Sequence, residues 1–553
     1  MPERWYRHAV VYCLDVDTFQ DSDGDGIGDL GGLIDRLDHL ARLGVTCIWL
    51  NPIHPSPDRD DGYDITDFYA VHPRLGTLGD FVELIHQASN RGIRVMIDLV
   101  VNHTSDQHPW FQSARADPSS PYRDWYVWSL TEPSDRGQGM VFPGYQDTTW
   151  TFDETAGAWY YHRFYDFQPD LNMANPRVRQ EIEKIMGFWL QLGVDGFRLD
   201  AAPFVIELTT PGDPNPRQDF SWLDDFWSQL SWRRGDAVIL AEANVEPHEL
   251  LEYFGEGRRL PMLFNFVLNQ RTFLALARGE VSPILQALAE MPELPASCQW
   301  ATFLRNHDEV DLGRLVGHEH DEVFAAFGPD PSMQLYGRGI RRRLAPMLGN
   351  DRRRLEMAYS LQFSLPGTPV IRYGDEIGMG EDLSLPERNA IRTPMQWSTA
   401  PHGGFSTTTR ERDLRRPVID DEEYGYQHVN VESQDADPSS LLAWFRRALL
   451  TLRECPEFGI GACRYVDTGD RAVLALVHEA PSGVMLAVTN LGPSKRTVDL
   501  GRQDEAGSDP VEVFADRVYP AVGPDLADVE VAGYGYRWIR LRRTIGARAG
   551  SAR

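Results

Sequence analysis

Residues 93–103 read IRVMIDLVVNH, a nearly continuous apolar run that ends in Asn102 and His103. Such a run is typical of a strand whose two faces are both buried, as in a parallel sheet. Seven further runs of the same character alternate with longer amphipathic segments. The eight runs together cover residues 10–16, 45–50, 93–101, 196–201, 237–242, 262–266, 301–306 and 369–373.

Eight β-then-α units predict an α/β fold in the form of a closed (β/α)8 TIM barrel. Residues 78–92 and 178–193, between these runs, have helical periodicity and end on glycine, a usual C-cap residue. The alternative is a doubly wound open sheet. The number of units disfavours it, as does the lack of a Gly-rich phosphate loop after the first run.

Two departures from this alternation divide the chain. The third run leads into a long segment rich in Trp, Tyr, Pro and Asp, and loops of this length usually are functional or form small domains. From about residue 460, short alternating runs predict an antiparallel β-sandwich. We therefore expect a barrel of residues 1–103 and 170–435, an inserted subdomain of residues 104–169, a helix plus sandwich of residues 436–545, and a tail of residues 546–553.

The composition narrows the classes of partner. A net charge of −28 disfavours nucleic acid and anionic membranes, whose phosphates attract basic surfaces. It leaves a small neutral or cationic molecule as the expected ligand. The sequence has no apolar run of membrane-spanning length and no recognisable signal peptide, and we expect its five cysteines to be free thiols. Because free thiols are typical of a reducing compartment, the chain is predicted to be cytoplasmic. A homo-oligomer stays open.

Acidic residues stand at the ends of several predicted strands. Asp98 lies near the end of the third run and Asp200 near the end of the fourth, Glu242 ends the fifth, and Asp308 follows the seventh. One acid in such a place is commonly a helix cap or a salt-bridge partner. Several of them, at the barrel end where active sites lie, are hard to attribute to capping.

This cluster suits the cleavage of a glycosidic bond, which needs an anionic nucleophile on one side of the sugar and a protonated acid on the other. Arg198 lies two residues before Asp200 on one strand face, and its charge favours an ionised nucleophile. Glu242 follows an apolar run, and burial would raise its pKa toward that of a general acid. Asp308 is the third carboxylate, expected to hold sugar hydroxyls.

The first βα loop carries a pattern of calcium ligands. Asp21, Asp23, Asp25 and Asp29 occupy positions 1, 3, 5 and 9 of a Ca²⁺ loop, with the carbonyl of Ile27 at position 7. The twelfth position is a glycine in place of glutamate and a strand precedes the loop, so an EF-hand is disfavoured. We expect a structural Ca²⁺ here; the alternative is an acidic turn without metal.

The motifs DLVVNH (residues 98–103), GFRLDA (196–201), AEAN (241–244) and FLRNHDE (303–309) resemble, in order, the four signature segments of the α-amylase superfamily of retaining glycoside hydrolases and transglycosylases. The resemblance implies that Asp200 is the nucleophile, Glu242 the acid/base and Asp308 the transition-state stabiliser. It supports the calcium loop and suggests Asn102 as a second calcium position. The implied substrate-binding residues, including supporting positions, are Asp60, Tyr63, Asp98, His103, Phe142, Gln168, Arg198, His307 and Arg392.

For the two histidines, His103 and His307, the alternative is that they are core residues satisfied by the backbone. The stretches DDGYD (60–64) and RTPMQW (392–397) are similar to those of the exo-acting branch. There the matching Asp and Arg, here Asp60 and Arg392, pair to close the pocket behind a terminal glucose on which Tyr63 stacks. Ordinary packing is the alternative for Tyr63. A small α-glucoside is the implied substrate.

Five stretches, residues 21–37, 100–111, 162–172, 305–310 and 339–351, resemble one branch of the family most closely. This branch interconverts maltose and trehalose by intramolecular transglucosylation, which is the reaction that the resemblance implies. Pro386, Ala390 and residues 315–327 depart from that branch, which leaves an exo-acting α-glucosidase or an α-glucosyltransferase with a different acceptor open. A catalytically dead amylase fold that serves as a binding subunit is disfavoured, since all three acids are present. The arginines at 341–343 and 352–354 are expected to form a solvated helix face, with an oligomer contact as the alternative.

Overall fold

The computed structural model describes residues 4–213, 215–503 and 509–542. Its centre is a closed barrel of eight parallel strands in chain order, which confirms the predicted (β/α)8 fold and excludes the open doubly wound sheet. The barrel closes where the first strand pairs with the last, Val11 opposite Val370. The strands are β1 (Val11–Leu14), β2 (Cys47–Leu50), β3 (Arg94–Leu99), β4 (Gly196–Leu199), β5 (Val238–Ala241), β6 (Met262–Phe264), β7 (Gln299–Phe303) and β8 (Thr368–Arg372).

The apolar runs are continuous because both faces of each strand are buried. In β1, Val11 and Cys13 point into the barrel, where they pack with residues such as Trp49 and Phe264. Tyr12, the residue between them, belongs to the layer between the barrel and its helices. Alternate side chains of one strand thus supply two cores, as the two-residue period of a strand requires.

Helices surround the barrel. The one after β2 begins with a capping box, in which Thr77 and Asp80 bond each other's backbone N–H groups. The helix after β1 ends at Gly44, whose φ of +100° suits glycine. The helices of the barrel and its connections are Leu30–Leu43, Leu78–Asn90, Pro176–Gln191, Ala202–Val205, Ser221–Arg233, Leu250–Phe254, Phe266–Arg278, Ser282–Glu290, His318–Phe327, Leu344–Met347, Arg352–Ser364 and Val431–Asp435.

The long segment after β3 lies over the carboxyl end of the barrel. It holds one helix, Pro109–Ala116, and a three-stranded antiparallel sheet of Trp128–Ser129, Trp150–Asp153 and Ala158–Tyr161. Its ends are tied together by a bridge between His103 and Asp170. Two small antiparallel sheets lie in later connections, Glu207–Leu208 with Arg217–Gln218, and Val310–Asp311, Gln334–Leu335 and Gly339–Ile340.

The C-terminal part is the predicted β-sandwich. A two-stranded sheet, Arg496–Val498 with Val529–Val531, covers a larger sheet across an apolar core of Val, Leu and Ile side chains. The helices Leu441–Arg453 and Glu457–Ile460 precede the sandwich. The larger sheet has the strand order Ala462–Val466, Val473–Ala480, Gly483–Asn490, Tyr536–Arg542 and Asp509–Ala515. The expected tail, residues 546–553, lies outside the described residues.

The search for a membrane span among the described helices finds none with the necessary length and apolar character.

Candidate active site

The predicted acids meet at one end of the barrel. Asp200 follows the last residue of β4 and Glu242 the last residue of β5, while Asp308 lies in the loop after β7. All three line one cavity of about 670 Å³, within the roughly 300–1,000 Å³ range of small-molecule sites. The predicted residues that line this cavity are Asp60, Tyr63, His103, Phe142, Asp200, Glu242, His307 and Asp308.

A single guanidinium joins the two acids of the proposed displacement. Nη1 of Arg198 donates to Oδ1 of Asp200, and Nη2 donates to Oε2 of Glu242. Nη1 also lies 3.4 Å from Oδ1 of Asp98. The carboxylates of Asp200 and Glu242 thus share one guanidinium and face one cavity. Arg198 and Asp98 lie beneath the cavity and hold its acids.

Burial and Arg198 act on these acids in opposite directions. Burial raises the pKa of Glu242 to about 7, although the charge of Arg198 lowers it. Burial likewise raises the pKa of Asp200, again against Arg198. A carboxyl with a pKa near neutrality can give a proton in one step and take it back in the next. The raised pKa of Glu242 is in the range that a general acid/base needs, and that role of Glu242 stays a prediction.

Asp308 is held ionised. Burial would raise its pKa, but Arg388, His307 and Arg392 together keep it well below its usual range. Oδ1 of Asp308 accepts from Nη2 of Arg392 at 3.1 Å and lies 3.1 Å from Nη1 of Arg388. Its Oδ2 lies 3.1 Å from Nε2 of His307. The site thus combines an ionised carboxylate, Asp308, with two further carboxyl groups, Asp200 and Glu242, that share one arginine.

Tyr63 connects the floor of the cavity to its wall. Its hydroxyl donates to Oδ2 of Asp98 at 2.8 Å and lies 2.8 Å from Nε2 of His307, while its ring is parallel to the His307 ring at 5.7 Å. Burial raises the pKa of Asp98 to about 7. Nε2 of His103 lies 3.2 Å from the carbonyl oxygen of Tyr63, and burial lowers the pKa of His103 to about 4, so the ring is neutral.

The expected pairing of Asp60 with Arg392 is wrong. Arg392 donates a hydrogen bond to the neighbouring carboxylate, that of Asp61. Asp61 also accepts hydrogen bonds from Arg416 and, at 3.2 Å, from Arg415. Asp61 adopts a left-handed φ of +46°, and its side chain is directed to these arginines. Asp60 faces the cavity, and its Oδ2 accepts from Nε2 of Gln168 at 2.9 Å. Gln168 and Arg392 therefore support the cavity from behind its lining.

Sequence reasoning missed Arg388. Its Nε donates to Oε2 of Glu309 at 2.8 Å, and its guanidinium carbon lies 5.0 Å from the centre of the Phe142 ring. The signal that could have found it was its position four residues before Arg392, in the stretch that departs from the maltose–trehalose branch. A second missed group lies at the other side of the cavity, where Asn244 donates to Asp311 at 3.0 Å and accepts from Nε of Arg314 at 2.7 Å.

The acidic loop after β1 gathers three of its four carboxylates. Oxygens of Asp21, Asp23 and Asp29 lie within 4.8 Å of one another. Asp25 is not part of this group; its Oδ1 accepts the N–H of Ile27 at 2.8 Å, and its role as a calcium ligand stays a prediction. The carbonyl of Ile27 as a ligand stays a prediction, and so does a second calcium position at Asn102.

The shape of this loop depends on one glycine. Gly26 has a φ of +95°, and a Cβ there would lie 2.2 Å from the carbonyl oxygen of Asp413. Oδ2 of Asp21 accepts the N–H of Gly26 at 2.8 Å, which folds the loop around that carboxylate. Three carboxylates in a tight turn form a hard, anionic donor set that fits Ca²⁺.

Comparisons with known proteins identify the family of the chain. The family model "Alpha amylase, catalytic domain" matches residues 14–326 and 340–458. The chain is 42% identical to the trehalose synthase/amylase TreS of Mycolicibacterium smegmatis over 551 residues, which cover 97% of this chain and 93% of the relative. It is 41% identical to a trehalose synthase of Pimelobacter sp., with coverages of 97% and 96%.

A solved structure of the trehalulose synthase MutB is similar with a TM-score of 0.78 and 25% sequence identity, and the match covers 97% of this chain and 100% of that one. The resemblance found in the signature motifs is thereby confirmed. The chain belongs to the alpha-amylase family of glycosidases and transglucosylases.

Proposed function

We propose that this enzyme interconverts maltose and trehalose by a retaining, intramolecular transfer of glucose. The observation that carries the proposal is the pair Asp200 and Glu242 on one guanidinium, facing one cavity, in a chain that is similar over nearly its whole length to trehalose synthases. Both disaccharides consist of two glucose units, so the reaction changes only the linkage between them.

In the first step, an Oδ atom of Asp200 attacks the anomeric carbon of the non-reducing glucose. The bond from this carbon to the glycosidic oxygen breaks, and Glu242 gives its proton to that oxygen. A covalent glucosyl-enzyme and a free glucose result. Asp308 stays ionised beside the ring, which favours the positive charge that develops on the sugar in the transition state.

In the second step, the released glucose turns within the cavity and presents its anomeric hydroxyl. That oxygen bonds the anomeric carbon of the glucosyl-enzyme, the bond to Asp200 breaks, and Glu242 takes back the proton. The configuration is inverted twice and therefore retained. The cavity has to keep both sugars and exclude water between the steps, because water would react in the same way and release glucose.

Two other activities are alternatives, that of an α-glucosidase and that of a glucosyltransferase with another acceptor. Incubation with maltose, followed by chromatography of the products, separates the three. The proposed reaction gives trehalose as the main product, whereas an α-glucosidase gives glucose alone. A transferase with another acceptor gives a longer or different saccharide, and either of these two results would reject the isomerase.

We further propose that the loop of Asp21, Asp23 and Asp29 holds a structural Ca²⁺. The three converging carboxylates and the required glycine at position 26 support this. We expect one Ca²⁺ per chain by isothermal titration, and a higher unfolding temperature in CaCl₂ than in EDTA. Asp23→Asn should weaken both effects, while Asp35→Asn, on the following helix, serves as the matched control. Equal unfolding temperatures with and without Ca²⁺ would reject the site.

A further inference from the structure

Three side chains from separate parts of the chain meet at one carboxylate beside the active-site cavity. Tyr165 comes from the inserted subdomain, Tyr336 from the connection between β7 and β8, and Glu387 from the loop after β8. The hydroxyl of Tyr165 donates to Oε2 of Glu387 at 2.7 Å, and the hydroxyl of Tyr336 donates to the same oxygen at 2.9 Å. We call these three residues the tyrosine–glutamate seam, since they join the insert to the barrel.

Two members of the seam have a left-handed backbone. The φ angle of Glu387 is +44° and that of Tyr336 is +55°, which side chains with a Cβ rarely adopt. Such conformations persist where the surrounding contacts enforce them, and they concentrate at functional sites. Here Arg341 enforces the loop, because it donates to the carbonyl oxygens of Leu383, Leu385 and Glu387. Arg341 is therefore a loop anchor, and the expected solvated helix face is wrong for it.

The seam also sets the position of Arg388, the residue after Glu387. Arg388 lies against the ring of Phe142 and pairs with two acids, Asp308 at 3.1 Å and Glu309 at 2.8 Å. A shift of Glu387 would move the backbone of Arg388 and with it both contacts. Glu387 thus acts on the site through its neighbour.

Arg388 stands between two cavities. It lines the active-site cavity and also a second, polar cavity of about 330 Å³. Asp60 likewise lines both cavities. Tyr165 and Glu387 line the second cavity. A polar cavity of this size holds water. The seam therefore holds part of the partition between a water-filled space and the reacting sugar.

We propose that Glu387 is a specificity-determining positioning residue, which through Tyr165 and Tyr336 keeps the insert docked and Arg388 in the partition, so that the glucosyl-enzyme reacts with the retained glucose and not with water. This inference rests on the proposed maltose–trehalose reaction. Both outcomes break the same bond from the anomeric carbon to Asp200, and both give one proton to Glu242. They differ only in which oxygen forms the new bond, that of glucose or that of water.

The test compares Tyr165→Phe, Tyr336→Phe and Glu387→Gln with the wild-type enzyme on maltose. The ratio of glucose to trehalose is measured by chromatography, together with kcat, KM and the unfolding temperature. We expect the glucose fraction to rise about three- to ten-fold, as the loss of one hydrogen bond to a charged group would produce. The rate of maltose consumption should fall by a smaller factor than the glucose fraction rises, because the three substituted side chains bond one another and act on Asp308 through Arg388.

Tyr69→Phe is the matched control. The hydroxyl of Tyr69 donates to Oε1 of Glu181 at 2.7 Å, a tyrosine–carboxylate bond of the same length as that of Tyr165 and Glu387. Neither residue is among those that line the two cavities. The control should leave the glucose fraction unchanged. A rise equal to that of the seam variants would mean general loosening of the fold and would overturn the inference.

The remaining outcomes separate the two proposals. If the wild-type enzyme makes trehalose and the three seam variants keep its product ratio, the seam has no part in specificity while the proposed function stands. If the wild-type enzyme releases only glucose from maltose, the proposed function itself is rejected and the inference with it. Should Glu387→Gln not fold, the two conservative tyrosine variants carry the same test.

Discussion

Asp200 and Glu242 bond the two terminal nitrogens of one guanidinium, that of Arg198. The two acids come from adjacent barrel strands, and Arg198 pairs across to both from the end of β4. This shared partner fixes their separation and keeps a positive charge between them. Replacement of one acid therefore leaves the other still bonded, which makes single substitutions of the pair informative.

Asp200→Asn should remove activity while the fold persists. An amide cannot form the glucosyl-enzyme, so we expect kcat on maltose to fall by at least about 10⁴-fold. The amide oxygen can still accept from Arg198, so the unfolding temperature should stay close to that of the wild-type enzyme. Activity of Asp200→Asn near the wild-type level would contradict the role of nucleophile.

The pH dependence of the reaction rate should reflect the protonation of Glu242. The first step needs its protonated form, and its pKa is raised to about 7 by burial. The rate of the first step should therefore fall as the pH rises above about 7. A substrate with a good leaving group, such as 4-nitrophenyl α-glucoside, needs less protonation, so Glu242→Gln should lose less activity on it than on maltose. Equal losses on both substrates would count against an acid role.

Arg388→Met should shift the acid limb of the pH–rate profile. Arg388, with His307 and Arg392, holds the pKa of Asp308 well below its usual range. Without the Arg388 charge this pKa rises, and the ionised form that the reaction needs is lost at a higher pH. The limb should therefore move to higher pH, and Arg388→Lys should restore part of the shift. Arg388 also lowers the pKa of Asp200, whose ionised form the first step needs, so an acid limb that stays in place would show that Arg388 acts on neither carboxylate.

Asp61→Asn should destabilise the protein. Asp61 is half-buried and pairs with Arg392, Arg415 and Arg416, and the loss of its charged hydrogen bonds should cost about 2–3 kcal/mol. The folded-state pKa of Asp61 lies below its unfolded value, since the three arginines outweigh burial. Its contribution is therefore present above the unfolded pKa of about 3.9 and is lost as the pH falls toward the folded value.

Urea unfolding at neutral pH measures this loss, with Asp67→Asn as the control. Asp67 is exposed and accepts the N–H of Tyr69, so its replacement should cost less than about 1 kcal/mol. The difference in stability between wild type and Asp61→Asn should shrink as the pH is lowered. A difference that is independent of pH would show that the charge of Asp61 is not its source.

The sequence pattern of eight apolar runs determined the barrel. Apolar strands that alternate with amphipathic helices bury both of their faces when they form a parallel sheet covered by those helices, and eight such strands close into a barrel. The strand ends carried the acids, so Asp98, Asp200 and Glu242 could be placed at one end of the barrel before any coordinates. These are local properties of the chain, set by the burial of strands and by the polar residues that follow them.

Contacts between distant loops were decided by the tertiary structure alone. The partner of Arg392 is Asp61 and not Asp60, although the two acids are adjacent in sequence. The approach of Arg388 to Asp308 depends on a loop that starts beyond β8. The sequence is the same whether Arg392 pairs with Asp60 or with Asp61, and whether or not the loop after β8 approaches Asp308. The choice between them rests on backbone conformation and on which charges burial forces together, and these exist only in the folded chain.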